Sequence, residues 1–428
     1  MFPGVIMHVL IVSQYFYPEN FAINEIAYGL VNRGHKVTVL TGMPNYPAGH
    51  FKPGYGGLRV RREAINGASV IRVPILPRGR ESFWLLALNY LSFAFLGSLL
   101  APFIIRERPD VILVYQLSPL TVALPALALR LVKRIPIVLW IQDIWPESLI
   151  AVNAMTSSAA VAAIRRLAVF IYRRCRMILV QSPAYISPIR SLDANEDIRY
   201  LPNSASSYFR PMIASSDAPE RQLLGKGFNV VFTGNIGSQQ DPEIILAAAE
   251  LLRNIPNIHW VIVGEGRLRE WVANEIQKRH LSQTCHLVDW LAPERMPVLY
   301  ALADALLVTL SPSCISGLTI PSKLQCYLAC GRPIVGAVDG ESKRIIDESG
   351  AGLATCSGNL QGLANAVLCL YGMSPQQRQS MGQAARTYYE EHFEWENLLR
   401  SLDAYLIEAC ECASSTEAPL SHERIPAK

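Results

Sequence analysis

Short, nearly unbroken apolar runs recur along the chain, each followed by a polar loop and then by apolar residues at helical spacing. His8–Ser13, Lys36–Leu40, Val111–Tyr115, Ile137–Ile141 and Met177–Gln181 form one series. Val230–Thr233, Trp260–Val263, His286–Trp290 and Pro333–Val335 form a second. Runs this short and this apolar predict strands buried on both faces, as in a parallel sheet covered by helices. The segments between them carry helix signals. A helix from about Asn24 to Arg33 is closed by Gly34, and Asp241 and Pro242 supply the cap and first-position proline of another that reaches Arg253. The alternation predicts an α/β protein of two doubly wound Rossmann-like domains. Residues 205–226, rich in Ser, Ala and Pro, read as a linker between residues 1–204 and 227–375. A helix from about Gln376 to Ala409, within 376–412, closes the fold, and 413–428 reads as a disordered tail.

Three stretches depart from the pattern. From Phe83 to Ile105 only Asn89, Ser92 and Ser98 are polar in 23 residues. A bilayer crossing needs about 20 apolar residues, so the length suffices. Pro102, the interior polar residues and the arginines at both ends (Arg78 and Arg80, Arg106 and Arg108) favour instead a helix lying in a membrane interface or partly buried in the domain. Ala159–Arg176 carries Arg165, Arg166, Arg173, Arg174 and Arg176 among apolar residues, which suits either an anionic lipid surface or a solvated face. The loop GMPNYPAGHFKPGYGG is too long and too dense in Pro, Gly and Tyr for a simple connection, and predicts a binding loop that closes over a substrate.

Charge sharpens the membrane expectation. Net charge is +4, but residues 1–204 hold 21 Lys+Arg against 11 Asp+Glu, while the remainder holds 18 against 24. A basic first half beside an acidic second half predicts that the first half meets an anionic surface. No basic patch is interleaved with aromatics on a reading surface, so nucleic acid is not an expected partner. The nine cysteines include no C-x-x-C pair, and the histidines are scattered rather than clustered with them, which predicts free thiols in a reducing cytoplasm and no zinc site. Met1–Met7 lacks a basic start, and the first strand follows at once, so no signal peptide is expected.

Candidate chemistry centres on SPSCISGLTIPSKLQCYLACGRPIVG, Ser311 to Gly336. Thr319 can cap a helix there, with Pro321 and Ser322 in its first turn and Leu324, Tyr327 and Leu328 on its buried face. A helix N-terminus suits a phosphate, whereas Lys323 in the first turn is unfavourable for the helix unless an anion is expected. Strand ends at Gly234, Asn235, Gly237 and at Gly264 and Gly266 predict backbone that approaches a nucleotide closely. Glu19, Asp143 and Glu341 follow strand ends and face the expected ligand side, although each acid serves equally well as a local cap or ion pair.

The segments QYFYPENFAINEIAYGL, RGHKVTVLTGMPNYPAG, NYLSF, QDIWPESL, FTGNIGSQQ and TIPSKLQCYLACGRPIVGAVDGE, in that order, resemble the retaining glycosyltransferases of family 4. The nearest likeness is to the bacterial enzymes of O-antigen, capsule and exopolysaccharide synthesis. The resemblance implies the GT-B fold, two doubly wound Rossmann-like domains facing a central cleft. It also implies a UDP- or GDP-linked sugar donor on the C-terminal domain and a polyprenyl-diphosphate-linked saccharide acceptor on the N-terminal one. Lys323 would then hold the leaving diphosphate, with Gly234, Asn235, Gly237, Gln239, Gly264, Gly266, Thr319, Ser322 and Glu341 around the donor. Asp143 and Glu19 would stand on the sugar or acceptor side. The chain departs from the family where it usually carries two glutamates, here Leu318 and Cys326. Near the first donor-domain strand, Asn235 and Gln239 or Gln240 replace the usual Arg and Lys.

A retaining transfer of this kind needs stabilisation of the leaving diphosphate rather than a metal or cofactor. The expected reaction moves a hexose, N-acetylated or deoxy, at the cytoplasmic leaflet, with the protein attached peripherally. A sugar-nucleotide epimerase of the same fold, or a noncatalytic membrane-associated scaffold, are the alternatives.

Overall fold

The computed structural model describes residues 5–79, 82–151, 157–313 and 315–415. Arg80 and the tail expected beyond residue 415 lie outside them. The chain forms two compact units.

Unit 1 contains residues up to Gln181, Ile186–Leu201 and the chain from Leu399 on. Its elements are β1 (His8–Val12), α1 (Ala22–Asn32), β2 (Lys36–Gly42), β3 (Arg61–Ile65), β4 (Ala68–Val73), α2 (Phe83–Ile104) and β5 (Val111–Gln116). After these come α3 (Leu124–Lys133), β6 (Ile137–Ile141), α4 (Glu147–Ala151), α5 (Ser158–Tyr172), β7 (Met177–Val180), α6 (Ile186–Arg190) and β8 (Ile198–Tyr200). The sheet runs β3-β4-β2-β1-β5-β6-β7-β8. It is parallel except at β3, which pairs antiparallel with β4. β1, β5, β6 and β7 are buried almost throughout, as their unbroken apolar sequences require. The order reverses between β1 and β5, the position where ligands of open α/β sheets bind beyond the strand ends.

Unit 2 begins at Pro202, takes in Ser182–Tyr185, and ends at Leu398. It contains β9 (Phe228–Thr233), α7 (Pro242–Leu251), β10 (Ile258–Val263), α8 (Arg269–Lys278), β11 (Cys285–Val288), α9 (Met296–Leu302) and β12 (Ala305–Thr309). Then follow α10 (Ser322–Ala329), β13 (Ile334–Ala337), α11 (Gly340–Ser349), β14 (Gly352–Thr355), α12 (Leu360–Gly372) and α13 (Pro375–His392). Its parallel sheet runs β11-β10-β9-β12-β13-β14, reversing between β9 and β12. Asp241 caps α7 and Pro242 opens it, as the sequence predicts.

Three expectations need correction. Residues 205–226 are packed into unit 2 rather than strung between domains: Glu220 is buried and takes a hydrogen bond from Arg295 Nε at 2.8 Å. The single closing helix is two. After Phe393 the Glu394 carboxylate accepts the main-chain N–H groups of Glu396 (2.7 Å) and Asn397 (3.1 Å), starting α14 (Trp395–Ser415) on a new axis. While α13 packs in unit 2, α14 returns to unit 1 from Leu399 on. There Leu399, Leu402 and Leu406 are buried, and Asp403 meets Arg33 and His35, each at 3.1 Å. A Cβ at Gly29 would lie 2.6 Å from Leu399, so α1 is thinned where α14 crosses it. The third correction concerns the arginines of Ala159–Arg176. α5 ends at Tyr172, so Arg165 and Arg166 are helical, whereas Arg173, Arg174 and Arg176 follow the last turn and do not share one helix face.

The apolar run is α2, capped by Ser82. Its polar residues point inward. Asn89 is fully buried and donates to the Leu76 carbonyl at 2.5 Å, and the Ser92 hydroxyl accepts the Leu76 N–H at 2.9 Å. Leu88, Leu91, Phe95, Leu99 and Phe103, three or four residues apart, form an exposed stripe, with Phe95 68% and Phe103 76% exposed. α2 is thus partly buried in the unit, with one apolar face left exposed among the described residues.

Candidate active site

In unit 2 the candidate residues gather where β9 and β12 part. Lys323 stands in the first turn of α10, whose N-cap is Pro321; no side chain caps the helix. This displaces Thr319 from its expected capping role. Its hydroxyl instead bonds that of Tyr185 at 2.9 Å, and its carbonyl accepts from Ser342. Ser322 is exposed beside the open helix end.

The stem of Lys323 reaches the surface, but its ammonium is shut from solvent, lies 3.8 Å from the centre of the Phe232 ring and has no hydrogen-bond partner among the described residues. Burial alone lowers its pKa to about 7. The aromatic face offers a cation partial compensation. The nearest open backbone is Gly234, in a left-handed conformation (φ +124°); a Cβ there would come 3.6 Å from the ammonium. Free N–H groups at an uncapped helix end, a glycine turn and an unpaired amine together offer donors of the kind an anion calls for.

The other glycines have a different cause. A Cβ on Gly264 would stand 1.9 Å from the Gly234 carbonyl oxygen, and one on Gly266 would stand 2.3 Å from that of Ile236. They are glycines because the turns after β9 and β10 press on each other: Gly234 N–H bonds Val263 and Ile236 N–H bonds Glu265. Gly264→Ala combines this clash with strain at φ +145° and should lower stability by about 3 kcal/mol, read as a reduced denaturation midpoint. Gly237 is buried, and a Cβ on it would strike Asn235, whose side-chain amide donates to Gln240 at 3.1 Å. Gln239 is exposed, and its carbonyl accepts from Ser311 N–H. Glu341 begins α11, but its carboxylate is engaged by Arg344 one turn on, at 2.7 Å.

In unit 1, Asp143 follows β6. Its carboxylate accepts from Trp145 Nε1 at 3.2 Å and from the Ser148 hydroxyl, and burial raises its pKa against both bonds. Glu19 is buried and accepts the N–H groups of Asn45 (2.7 Å) and Tyr46 (2.6 Å); burial raises its pKa despite those bonds and the Arg72 charge. Glu19 therefore fastens the 43–55 loop. That loop is further pinned by Lys52 Nζ on the Pro18 carbonyl at 2.8 Å.

Two residues essential to this end of the sheet escape sequence reasoning. Arg72, wholly buried, bonds Glu63 at 2.8 Å, the Gly42 carbonyl at 3.3 Å and the Tyr17 carbonyl, and so holds the loop after β1. Tyr90, on α2, lies beside Tyr15 and Ser118, and burial raises its pKa. The only signal for either is a polar group in an apolar run, which does not reveal its partner.

Two Rossmann-like units, each with its ligand-side loops at the point where strand order reverses, are the components of the GT-B fold. Residues 20–204 match the family described as "Glycosyl transferase 4-like domain" and residues 227–373 the one described as "Glycosyl transferases group 1". In both of its halves the chain thus resembles glycosyltransferases of family 4. It is 26% identical over 420 residues to the putative colanic acid biosynthesis glycosyl transferase WcaI of Escherichia coli, covering 92% of this chain and 98% of that one. It is 28% identical over 226 residues to the probable glycosyltransferase WbjE of Pseudomonas aeruginosa, covering 50% of this chain and about half, 54%, of that relative. A shorter match, 31% over 155 residues, covers 35% of this chain and 32% of the human chitobiosyldiphosphodolichol beta-mannosyltransferase. Among solved structures, Anabaena HepE in complex with UDP and glucose superposes with a TM-score of 0.67 at 16% identity, covering 94% of this chain and all of that one.

Proposed function

We propose that unit 2 binds a UDP- or GDP-linked sugar and that the chain transfers a hexose, N-acetylated or deoxy, to a polyprenyl-diphosphate-linked saccharide held by unit 1, with retention and without a metal. The observation that carries this reading is Lys323: a buried, unpartnered amine at an uncapped helix end beside a glycine turn. As the glycosidic bond to the nucleotide breaks, negative charge collects on the diphosphate, where this amine and the first N–H groups of α10 stabilise it. The human relative's name describes a lipid-linked saccharide substrate, WcaI's a polysaccharide pathway, and HepE binds UDP. A thermal-shift panel of UDP- and GDP-sugars tests the donor. Stabilisation by one nucleotide class, lost in Lys323→Met, supports the reading; binding of none would favour a noncatalytic scaffold.

The same reading makes transfer metal-independent. Among the described residues no three His, Cys, Asp or Glu side chains gather into a metal-ligand set. Turnover is expected to stay within about twofold after EDTA, since the diphosphate charge is met by protein donors. Loss on chelation, restored by Mg²⁺ or Mn²⁺, would contradict this.

The location we propose rests on α2. Its exposed stripe fits a position on the cytoplasmic leaflet of the plasma membrane, peripheral rather than spanning, with Arg165 and Arg166 adding attraction to anionic lipid. That is where a polyprenyl-linked acceptor is found.

A further inference from the structure

The unit 2 sheet has an open cavity at its amino edge, away from Lys323. Asp304 precedes β12, and Arg332 and Pro333 precede β13, so all three stand where those strands begin. Pro375, Arg378 and Gln379, from the first turns of α13, close the other side. The cavity holds about 320 Å³, within the range of small-molecule sites. Lys323 lies in the first turn of α10 and Arg332 just beyond its last residue. An eight-residue helix, roughly 12 Å long, therefore separates this cavity from the candidate donor site.

The charges lining the cavity do not balance. Asp304 is engaged by its surroundings: Oδ2 accepts the Asn229 N–H at 2.9 Å, and Arg378 Nη2 stands 3.5 Å from Oδ1. Arg378 is engaged too, with Nη1 donating to the carbonyls of Leu370 (3.2 Å) and Met373 (2.5 Å). Arg332 differs. Its Nε donates to the Tyr300 carbonyl at 2.9 Å, but among the described residues its two terminal nitrogens have no hydrogen-bond partner. They are open to solvent rather than sealed, although the side chain is partly buried. Asp304, the only carboxylate in the lining among the described residues, pairs with Arg378 instead. Burial lowers the Arg332 pKa despite the Asp304 charge, as expected of a cation short of compensation.

We propose that this cavity is a second ligand site, for a small hydroxylated oxyanion whose paired oxygens, of a carboxylate or a phosphate ester, dock on the Arg332 fork. Two guanidinium groups against one carboxylate leave the cavity positive. The planar fork of Arg332 matches paired oxygens. Asp304 Oδ1, held only at 3.5 Å, can accept a hydroxyl, and the exposed Gln379 amide offers a further polar contact. The site goes beyond the transferase reading and does not depend on it.

The test is calorimetric titration of the purified full chain with malate, glycerol 3-phosphate and glucose 6-phosphate. At least one should bind with a Kd below about 1 mM, and uncharged glycerol and glucose should not bind. Malate alone would identify a carboxylate ligand, and the esters alone a phosphate ester. Acetate and inorganic phosphate should bind about tenfold more weakly, because they bring no hydroxyl to Asp304. Arg332→Gln should weaken binding about tenfold or more. Gln379→Glu adds a negative charge at an exposed position, so it should weaken binding severalfold with the melting temperature unchanged. Binding should persist in Lys323→Met and in the presence of UDP or GDP. The proposal is overturned if none of the three anions binds, or if acetate or inorganic phosphate binds as tightly as they do. Undiminished binding in both cavity variants overturns it too. Loss in Lys323→Met, or competition by UDP or GDP, would place the anion in the donor site and overturn it as well.

Discussion

Lys323→Met should yield a protein that is more stable than the wild type and almost inactive. Moving the amine from water, where its pKa is 10.5, to a site where it falls to about 7 costs about 5 kcal/mol at neutral pH. The Phe232 face returns roughly 2 kcal/mol of that to the charged form, so replacing Lys323 by an apolar residue of similar length should gain about 3 kcal/mol. The sign with pH follows from the direction of the shift. The unfolded chain binds the extra proton between pH 7 and 10.5, so wild-type stability rises with pH across that window. The advantage of the variant should be largest at and below pH 7 and disappear towards pH 10.5. Denaturant melts at several pH values measure this. Turnover should fall by about 10²–10³, the usual cost of losing one charge-stabilising donor. Binding of UDP or GDP should draw a proton into wild type above pH 7 and none into the variant. A variant with wild-type turnover would move the diphosphate role to another residue.

The second large effect concerns the membrane. Leu91→Asp, Phe95→Asp and Leu99→Asp together should lower partitioning onto anionic vesicles roughly a thousandfold, since each buried apolar side chain contributes about 1.5–3 kcal/mol. The three face outward from α2, so the melting temperature should barely change. Arg165→Gln with Arg166→Gln should act more weakly, and only at low salt, because each basic residue adds about 1 kcal/mol near an anionic surface. A triple variant that stays bound would rule out the α2 face as the attachment. Wild type that resists carbonate extraction would instead indicate a span.

Much of the architecture could be read from the sequence, because strands buried on both faces must be unbroken apolar runs and nothing else in a polar chain is. Lys323 was legible for a related reason: a cation at the positive end of a helix contradicts local preference, and a contradiction points outward. The glycines after β9 and β10 were visible but their cause was not. Gly264 and Gly266 answer to the carbonyls of Gly234 and Ile236, a tertiary clash with no trace in either segment alone. Glu19 looked like a free acid at a strand end because its partners are main-chain N–H groups of a loop 26 residues away. The glutamines at the carboxyl ends of the unit 1 strands were hidden for a different reason. Each is one polar residue closing one apolar run, and only strand register shows that Gln14 is level with Gln116 and Gln142 with Gln181. The closing helix was misjudged at Phe393 and Glu394, where an acidic residue inside a helical pattern reads as one more surface position until it caps the next helix.

The return of α14 to unit 1 imposes an order on synthesis. Asp403 meets Arg33 across 370 positions of sequence. At about 5–20 residues per second, the nascent α1 face around Gly29 and Leu30 waits roughly 20–75 seconds for Leu399 and Leu402. Unit 2 ends at Leu398 and is translated in that interval, and its buried core clusters contain no residue beyond Phe393. The second half of the chain should therefore reach its native state on the ribosome before the first half does, with the earlier unit held open as a client for chaperones until the last helix emerges.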